Sequence, residues 1–148
     1  MSTWMKALRW AVAIPGGSFA ALLVSFPLHW VVMCTLGGWG MDAVIEIRSP
    51  ETLHTIERWL QALVGPLAFV YCASRIAPSQ RRAASVAFTA LVILAGTVLI
   101  AWVNTQGLTR RVQFDFAKFI LQVVGAGGAI CLVWRHERSH TTKKESTE

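Results

Sequence analysis

Four long apolar runs, separated by short polar segments, constrain the fold of this chain more than any other feature of its sequence. A bilayer core about 30 Å thick is crossed by roughly 20 residues of α-helix, because each residue adds about 1.5 Å. The runs lie at residues 14–36, 57–76, 83–103 and 114–134. We therefore predict an all-α, polytopic membrane protein with four transmembrane helices.

The composition supports lipid as the solvent for these runs. Hydrophobic residues make up 54% of the 148 residues and charged residues only 15%, whereas a soluble domain has about 25% charged residues. A globule of this size cannot bury so much apolar surface. The net charge is +6, and the charged residues lie mainly between the apolar runs. Their position indicates contacts with lipid head groups and not a nucleic-acid surface.

Local signals mark several helix ends. Pro50 and Glu51, preceded by a capping Ser49, predict that the second helix begins near residue 50. Residues 77–80 predict a tight hairpin between the second and third helices, while Gly107 ends the third helix and Thr109 caps the fourth. We predict that residues 1–136 form the helical bundle. Residues 137–148 are mostly Ser, Thr, Lys and Glu, and we predict that they form a disordered cytoplasmic tail.

The basic residues predict a topology with both termini in the cytoplasm. This orientation puts the larger group of Lys and Arg on the inner side: Lys6, Arg9, Arg75, Arg81, Arg82, Arg135, Arg138, Lys143 and Lys144. The outer side then holds Arg48, Arg58, Arg110, Arg111 and Lys118. The acids Asp42, Glu46, Glu51, Glu57 and Asp115 also fall outside, and we expect the first four to be solvated. With its short loops, the chain fits a multi-pass protein of a bacterial inner membrane.

Polar residues from all four helices are predicted to collect in the outer half of the membrane. Hydrocarbon offers no hydrogen bonds, so such residues face the bundle or a water-filled space. The candidate vestibule comprises His29, Gln61, Asn104, Asp115, Lys118 and Gln122. These side chains either line a binding or conduction site or only form hydrogen bonds between helices, and the sequence leaves both interpretations open.

Small residues are predicted to bring the helices together below that vestibule. Pairs of Gly or Ala four residues apart allow two helix backbones to approach closely in lipid. The predicted packing residues are Gly16, Gly17, Gly65, Ala83, Ala87, Gly125 and Ala129. We therefore expect a tight inner half and a looser, polar outer half.

The sequence carries no pattern that predicts catalysis, a metal or a cofactor. Its three cysteines lie in apolar runs without ligand spacing, and His29 is the one histidine inside such a run. We predict a non-enzymatic helical-bundle subunit or accessory of a membrane assembly, which associates with itself or with other membrane proteins. The alternative is a small transporter, flippase or pore that uses the outer vestibule. Substrate, partner and oligomeric state are not encoded in any recognisable motif.

Overall fold

The computed structural model of this chain describes residues 3–36, 50–78, 80–105 and 116–145. These residues form four α-helices: α1 (Thr3–Leu36), α2 (Pro50–Ile76), α3 (Arg81–Thr105) and α4 (Phe116–Glu145). Each helix is long and apolar enough to cross a membrane by length and composition. The prediction of an all-α chain with four such helices is confirmed, and the composition of these helices suggests a multi-pass membrane protein.

Helices α1 and α4 extend furthest beyond the apolar runs that predicted them. Helix α1 begins at Thr3, well before residue 14, and continues through Pro15 and Pro27. A proline removes one backbone donor, a loss that a membrane helix tolerates when neighbouring groups compensate. Helix α4 extends to Glu145, through most of the segment predicted to be a disordered tail. Lys, Arg and Glu are good helix formers, so the helix outlasts its apolar part.

The other helix ends follow local signals. Helix α2 begins at Pro50, as the proline at the first helical position predicts. The proposed caps Ser49 and Thr109, and the predicted terminator Gly107, lie outside the described residues.

The predicted tight hairpin between α2 and α3 is confirmed. The amide of Ala77 donates to the Ala73 carbonyl at 3.1 Å, and the amide of Ala84 donates to the Gln80 carbonyl at 2.9 Å. Between these bonds, Gln80 adopts a left-handed backbone conformation with φ of 50°. This conformation reverses the chain within a few residues at the cost of some steric strain, since Gln80 has a Cβ.

Helix directions alternate along the chain. Gly16 of α1 lies beside Ile76 of α2, whereas His29 contacts Glu57, so α1 and α2 are antiparallel. Gly125 and Gly128 of α4 lie beside Leu63 and Leu67, so α2 and α4 run in the same direction.

Helix α3 runs against α4. Its first turn reaches the late part of α4 through Arg82 and Glu137, while Gly96 lies beside Phe119 near the start of α4. The beginning of α1 and the end of α4 therefore lie at one end of the bundle. We call this end the Glu137 end and the opposite one the Glu57 end.

Helix α2 is the centre of the bundle. Its backbone approaches those of all three other helices, whereas the described part of α1 approaches the backbone of α2 alone. A ring contact of 6.0 Å between the centroids of Trp10 and Phe88 links α1 to α3 near the Glu137 end. Helix α1 is thus attached mainly along one face, and most of its surface remains exposed.

The core lies nearer the Glu137 end and consists largely of alanine. Its buried residues are Ala13, Val70, Ala73, Ala77, Ala84, Phe88, Ala126 and Ala129. Small side chains let helix backbones approach closely, so this half of the bundle is tightly packed, as the small-residue pattern predicts. The half near Glu57 has fewer buried apolar residues among those described.

The predicted packing residues fall into two groups. A Cβ on Gly17 would lie 2.9 Å from the Phe69 carbonyl oxygen, and a Cβ on Gly125 would overlap the carbonyl oxygen of Leu63. A Cβ on Gly16 would lie 2.6 Å from the end of the Ile76 side chain, and Ala129 is fully buried.

The second group makes no close contact with the described residues of this chain. A Cβ on Gly65 would meet no described atom within 4 Å, and Ala83 and Ala87 are exposed. Spacing identifies a small helix face but not the direction in which that face points, so packing at these three positions stays a prediction.

Candidate functional site

A buried carboxylate, Glu57, lies where α1 and α2 meet. Glu57 is only 8% exposed although it lies two turns from the start of α2. On α2, His54 and Gln61 are three and four residues away, so all three side chains share one helix face. Because α1 runs antiparallel to α2, its second half brings His29 to the same level. Two helices thereby place four polar side chains together.

One oxygen of Glu57 receives two hydrogen bonds. Gln61 Nε2 donates to Glu57 Oε1 at 2.9 Å, and His29 Nδ1 lies 2.7 Å from the same oxygen. An ionised carboxylate only accepts hydrogen bonds, so the His29 Nδ1–H is the donor to Glu57 in that state. These two donors offset the cost of taking the carboxylate out of water.

The second oxygen of Glu57 is less well satisfied. His54 Nδ1 lies 3.6 Å from Glu57 Oε2, which is longer than a hydrogen bond. Both histidine side chains are partly exposed, at 43% for His29 and 56% for His54. Glu57 Oε2 therefore keeps capacity to accept a further hydrogen bond from the partly open side of the cluster.

Two tryptophans flank this cluster along the chain. Trp30 follows His29 directly, and Trp59 lies two residues after Glu57; both are exposed. In membrane proteins, tryptophan is enriched at the level of the lipid head groups. The residues around the cluster thus have a composition typical of a membrane–water boundary.

The structure brings together only part of the predicted vestibule. His29 and Gln61 meet on Glu57, but Gln122 of α4 lies against α3, with its Oε1 3.8 Å from a Cβ placed on Gly96. Lys118 is half-buried on the same helix as Gln122. In the described ranges, α4 does not approach the backbone of α1, the helix that carries His29.

Two members of the predicted vestibule fall outside this comparison. Asp115 lies outside the described residues, and Asn104 belongs to α3, although its side chain is not among those described.

Sequence analysis missed Glu57, the central residue of this cluster. It grouped Glu57 with the outer acidic residues that are expected to be solvated, since it lies at the first position of an apolar run. The spacing of His54, Glu57 and Gln61 on one helix face contained part of the signal. The remaining part required knowing that α1 pairs with α2 and brings His29 opposite.

A second ion pair lies at the other end of the bundle. Arg82 Nε donates to Glu137 Oε2 at 2.7 Å, and the guanidinium of Arg82 lies 5.8 Å from the Trp134 ring centroid. Arg82 and Glu137 line part of an open depression of about 560 Å³ between the start of α3 and the late part of α4. The pair is solvent-accessible, and its evident effect is to hold two helix ends together.

Metal binding finds no support in the part of the chain that the structure describes. Within the described residues, no group of three or more His, Cys, Asp or Glu side chains is arranged to hold a metal ion. Cys34 and Cys131 are exposed and Cys72 is half-buried, each as a free thiol. The Glu57 cluster instead suits hydrogen bonding to a ligand.

The chain matches no known protein-family model, no curated protein and no solved structure.

Proposed function

We propose that this chain is a non-enzymatic subunit of a membrane assembly, and that it associates with a second copy or another membrane protein through the outward face of α3. The observation that supports this proposal is a line of exposed, mostly small residues along nearly the whole helix. We call it the α3 stripe: Ala83, Ala87, Ala90, Leu94, Thr97 and Ala101.

The α3 stripe follows the helical period closely. Successive members are four, three, four, three and four residues apart, which keeps them within an arc of roughly 80°. The opposite face of α3 carries the buried residues Ala84 and Phe88. Thr97 Oγ1 donates to the carbonyl of Leu94 at 2.8 Å, so the hydroxyl needs no other partner. The stripe is therefore apolar in effect, narrow and shallow.

Small residues on a lipid-facing surface favour contact with another helix. The exposed face of α1 carries bulky side chains such as Phe19, Leu23 and Phe26, which lipid chains accommodate well. The exposed bulky residues of α3, such as Val86 and Val98, lie beside the α3 stripe. Helix association in lipid depends on close backbone approach, which alanine permits and leucine or phenylalanine does not. The contrast favours α3 as the associating helix.

The proposal includes a membrane orientation. The Glu137 end carries Arg75, Arg81, Arg82, Arg135 and Arg138 on its helices. Because cytoplasmic segments are enriched in Lys and Arg, we place this end, and with it both chain termini, in the cytoplasm. The short connections between helices fit the inner membrane of a bacterium, which is part of the same proposal.

Bulky substitutions on the α3 stripe test the proposal. Replacing Ala83 and Ala87 with Leu adds side chains where a second helix would lie, without touching the buried core. We expect native mass spectrometry in a mild detergent to show loss of the oligomer or of the co-purified partner. The matched control replaces Ala7 and Ala11 of α1 with Leu, because these alanines are also exposed and four residues apart.

Two outcomes would contradict association through α3. The first is a wild-type protein that is strictly monomeric and carries no partner in mild detergent. The second is an A83L/A87L variant that keeps the same assembly as wild type while the α1 control loses it.

A small transporter, flippase or pore is the second candidate function. The feature that favours it is the buried Glu57 carboxylate, held between two helices by His29 and Gln61. Ionisable groups inside a membrane often mark the pathway of an ion or substrate. In a background without native cysteines, a cysteine at Gln122 that stays unreactive towards water-soluble thiol reagents would exclude a hydrated outer vestibule there.

A further inference from the structure

We infer that the Glu57 cluster and the cleft beside it bind a phospholipid whose head group carries a primary ammonium, as in phosphatidylethanolamine. The inference goes beyond the proposed association of subunits, because it concerns the face of α3 opposite the α3 stripe. It combines three observations: an apolar cleft, its alignment with the polar cluster, and a carboxylate oxygen with accepting capacity left.

An open cleft of about 430 Å³ lies between α1, α2 and α3. Its lining is mainly apolar or small and consists of Ser18, Ala21, Leu22, Ser25, Gly65, Pro66, Phe69 and Val92. The hydroxyl of Ser25 donates to the Ala21 carbonyl at 2.9 Å, so it makes no demand on a ligand. Gly65 contributes no side chain, and a Cβ at this position would meet no described atom within 4 Å. Such a surface suits a hydrocarbon chain.

The cleft continues directly from the polar cluster. On α1, Ser18, Leu22, Ser25 and His29 are spaced four, three and four residues apart and so share one face. On α2, Gly65 lies four residues after Gln61, again one turn of about 5.4 Å along the same side. An amphiphile with its head group at Glu57 would therefore place its tail along the cleft.

The unsatisfied oxygen of Glu57 defines the chemistry of the head group. Among the described residues, Oε1 interacts with His29 and Gln61, whereas Oε2 has the 3.6 Å contact with His54 alone. A ligand that donates hydrogen bonds is favoured at Oε2, and a positive charge adds to the attraction because the carboxylate is largely desolvated. A primary ammonium supplies both properties. The quaternary nitrogen of choline carries charge but has no N–H to donate.

The depth of the cluster agrees with a phospholipid head group. The exposed Trp30 and Trp59 lie beside His29 and Glu57 in the chain, and tryptophan marks the head-group level of a bilayer. The cleft lies on the side of Glu57 nearer the middle of α1 and α2, where acyl chains extend. The polar cluster thus lies at the level of a lipid head group, and the cleft lies at the level of its acyl chains.

Lipid retention measured by native mass spectrometry tests the inference. The delipidated protein is titrated with phosphatidylethanolamine and phosphatidylcholine of identical acyl chains, which differ in the methylation of the nitrogen. We expect about fivefold to tenfold tighter binding of phosphatidylethanolamine by wild type. Glu57→Gln should reduce this preference to near parity, and the matched control Glu137→Gln, at the other end of the bundle, should keep it.

A second variant fills the cleft without altering the cluster. Gly65→Leu adds a side chain where no described atom lies within 4 Å of the Cβ position, so the fold can accommodate it. We expect this variant to bind both lipids several-fold more weakly. Equal binding of the two lipids by wild type, or an unchanged preference in Glu57→Gln, would overturn the inference. It would also fail if Gly65→Leu leaves lipid binding intact but dissociates an oligomer, because the cleft would then hold a helix.

Discussion

The two ends of the bundle each contain a carboxylate 2.7 Å from a basic side chain, yet the two pairs differ in burial. At the Glu57 end, the carboxylate side chain is 11% exposed and accepts from both His29 and Gln61. At the Glu137 end, the carboxylate side chain is 27% exposed and the Arg82 side chain 50% exposed. Equal distances therefore do not imply equal energies, since solvent screens the second pair much more than the first.

The two pairs also differ in what they hold. The His29–Glu57 pair connects α2 to α1, and α2 is the one described helix whose backbone α1 approaches. The Arg82–Glu137 pair connects α3 to α4 close to the alanine-rich core, where these helices already pack. Loss of the His29–Glu57 pair should therefore weaken the attachment of α1 to α2. Loss of the Arg82–Glu137 pair should only weaken the contact between the ends of α3 and α4.

The largest effect is expected for Glu57→Ala. This substitution leaves the donors of His29 and Gln61 without their acceptor in a mostly buried site, which should lower the free energy of unfolding by roughly 1–3 kcal/mol. Denaturant unfolding in detergent micelles, followed by tryptophan fluorescence, measures the change. The control Arg58→Ala removes the neighbouring exposed charge and should cost no more than about 0.5 kcal/mol. Equal stability of the E57A and R58A variants would contradict the assigned importance of Glu57.

A double-mutant cycle between His29 and Glu57 isolates their contact. The single variants His29→Ala and Glu57→Ala and their combination should give a coupling energy of roughly 0.6–1.7 kcal/mol, the range of hydrogen bonds between membrane helices. The same unfolding assay supplies all four values. Strict additivity of the two substitutions would mean that the 2.7 Å contact does not contribute to stability.

A smaller coupling is expected at the other end. The cycle of Arg82→Ala and Glu137→Ala should give only about 0.2–1 kcal/mol, and this value should fall in high salt because both groups are accessible to solvent. The coupling between His29 and Glu57 should change less with salt. A larger or less salt-sensitive coupling at the Glu137 end would reverse the comparison.

The smallest effect is expected for the turn beside Arg82. Gln80→Gly relieves the steric strain of a left-handed residue, worth about 1–2 kcal/mol, but it adds freedom to the unfolded chain worth about 0.5–1 kcal/mol. The net result should be a gain of about 0.5 kcal/mol in the free energy of unfolding. Gln80→Val, which introduces a branched Cβ, should instead destabilise the protein, and a stabilised Q80V variant would argue against the left-handed conformation.

Local signals in the sequence predicted the elements of the fold. Apolar length identified four helices, Pro50 identified the start of α2, and residues 77–80 identified the turn before α3. The starts and ends that were missed, at Thr3 and Glu145, lie beyond the apolar runs, because the thickness of lipid limits the apolar part of a helix and not the helix itself.

The candidate site was only partly predictable, because it depends on which helices become neighbours. His29 and Gln61 were recognised as polar residues within apolar runs, and the structure joins them. Glu57 was missed because its burial is produced by α1, which is distant in sequence. Likewise, the spacing of Gly125 and Ala87 looked equivalent, although Gly125 faces α2 and Ala87 faces outward. Periodicity defines a face, whereas packing decides its partner.

The dependence of α1 on α2 has a consequence for the order of assembly. Apart from the ring contact between Trp10 and Phe88, the described contacts of α1 are with the helix that directly follows it in the chain. The first two helices can therefore pair while the rest of the chain is still being synthesised. Helices α3 and α4 can then join the paired α1 and α2, because α2 also carries the surface on which both of them pack.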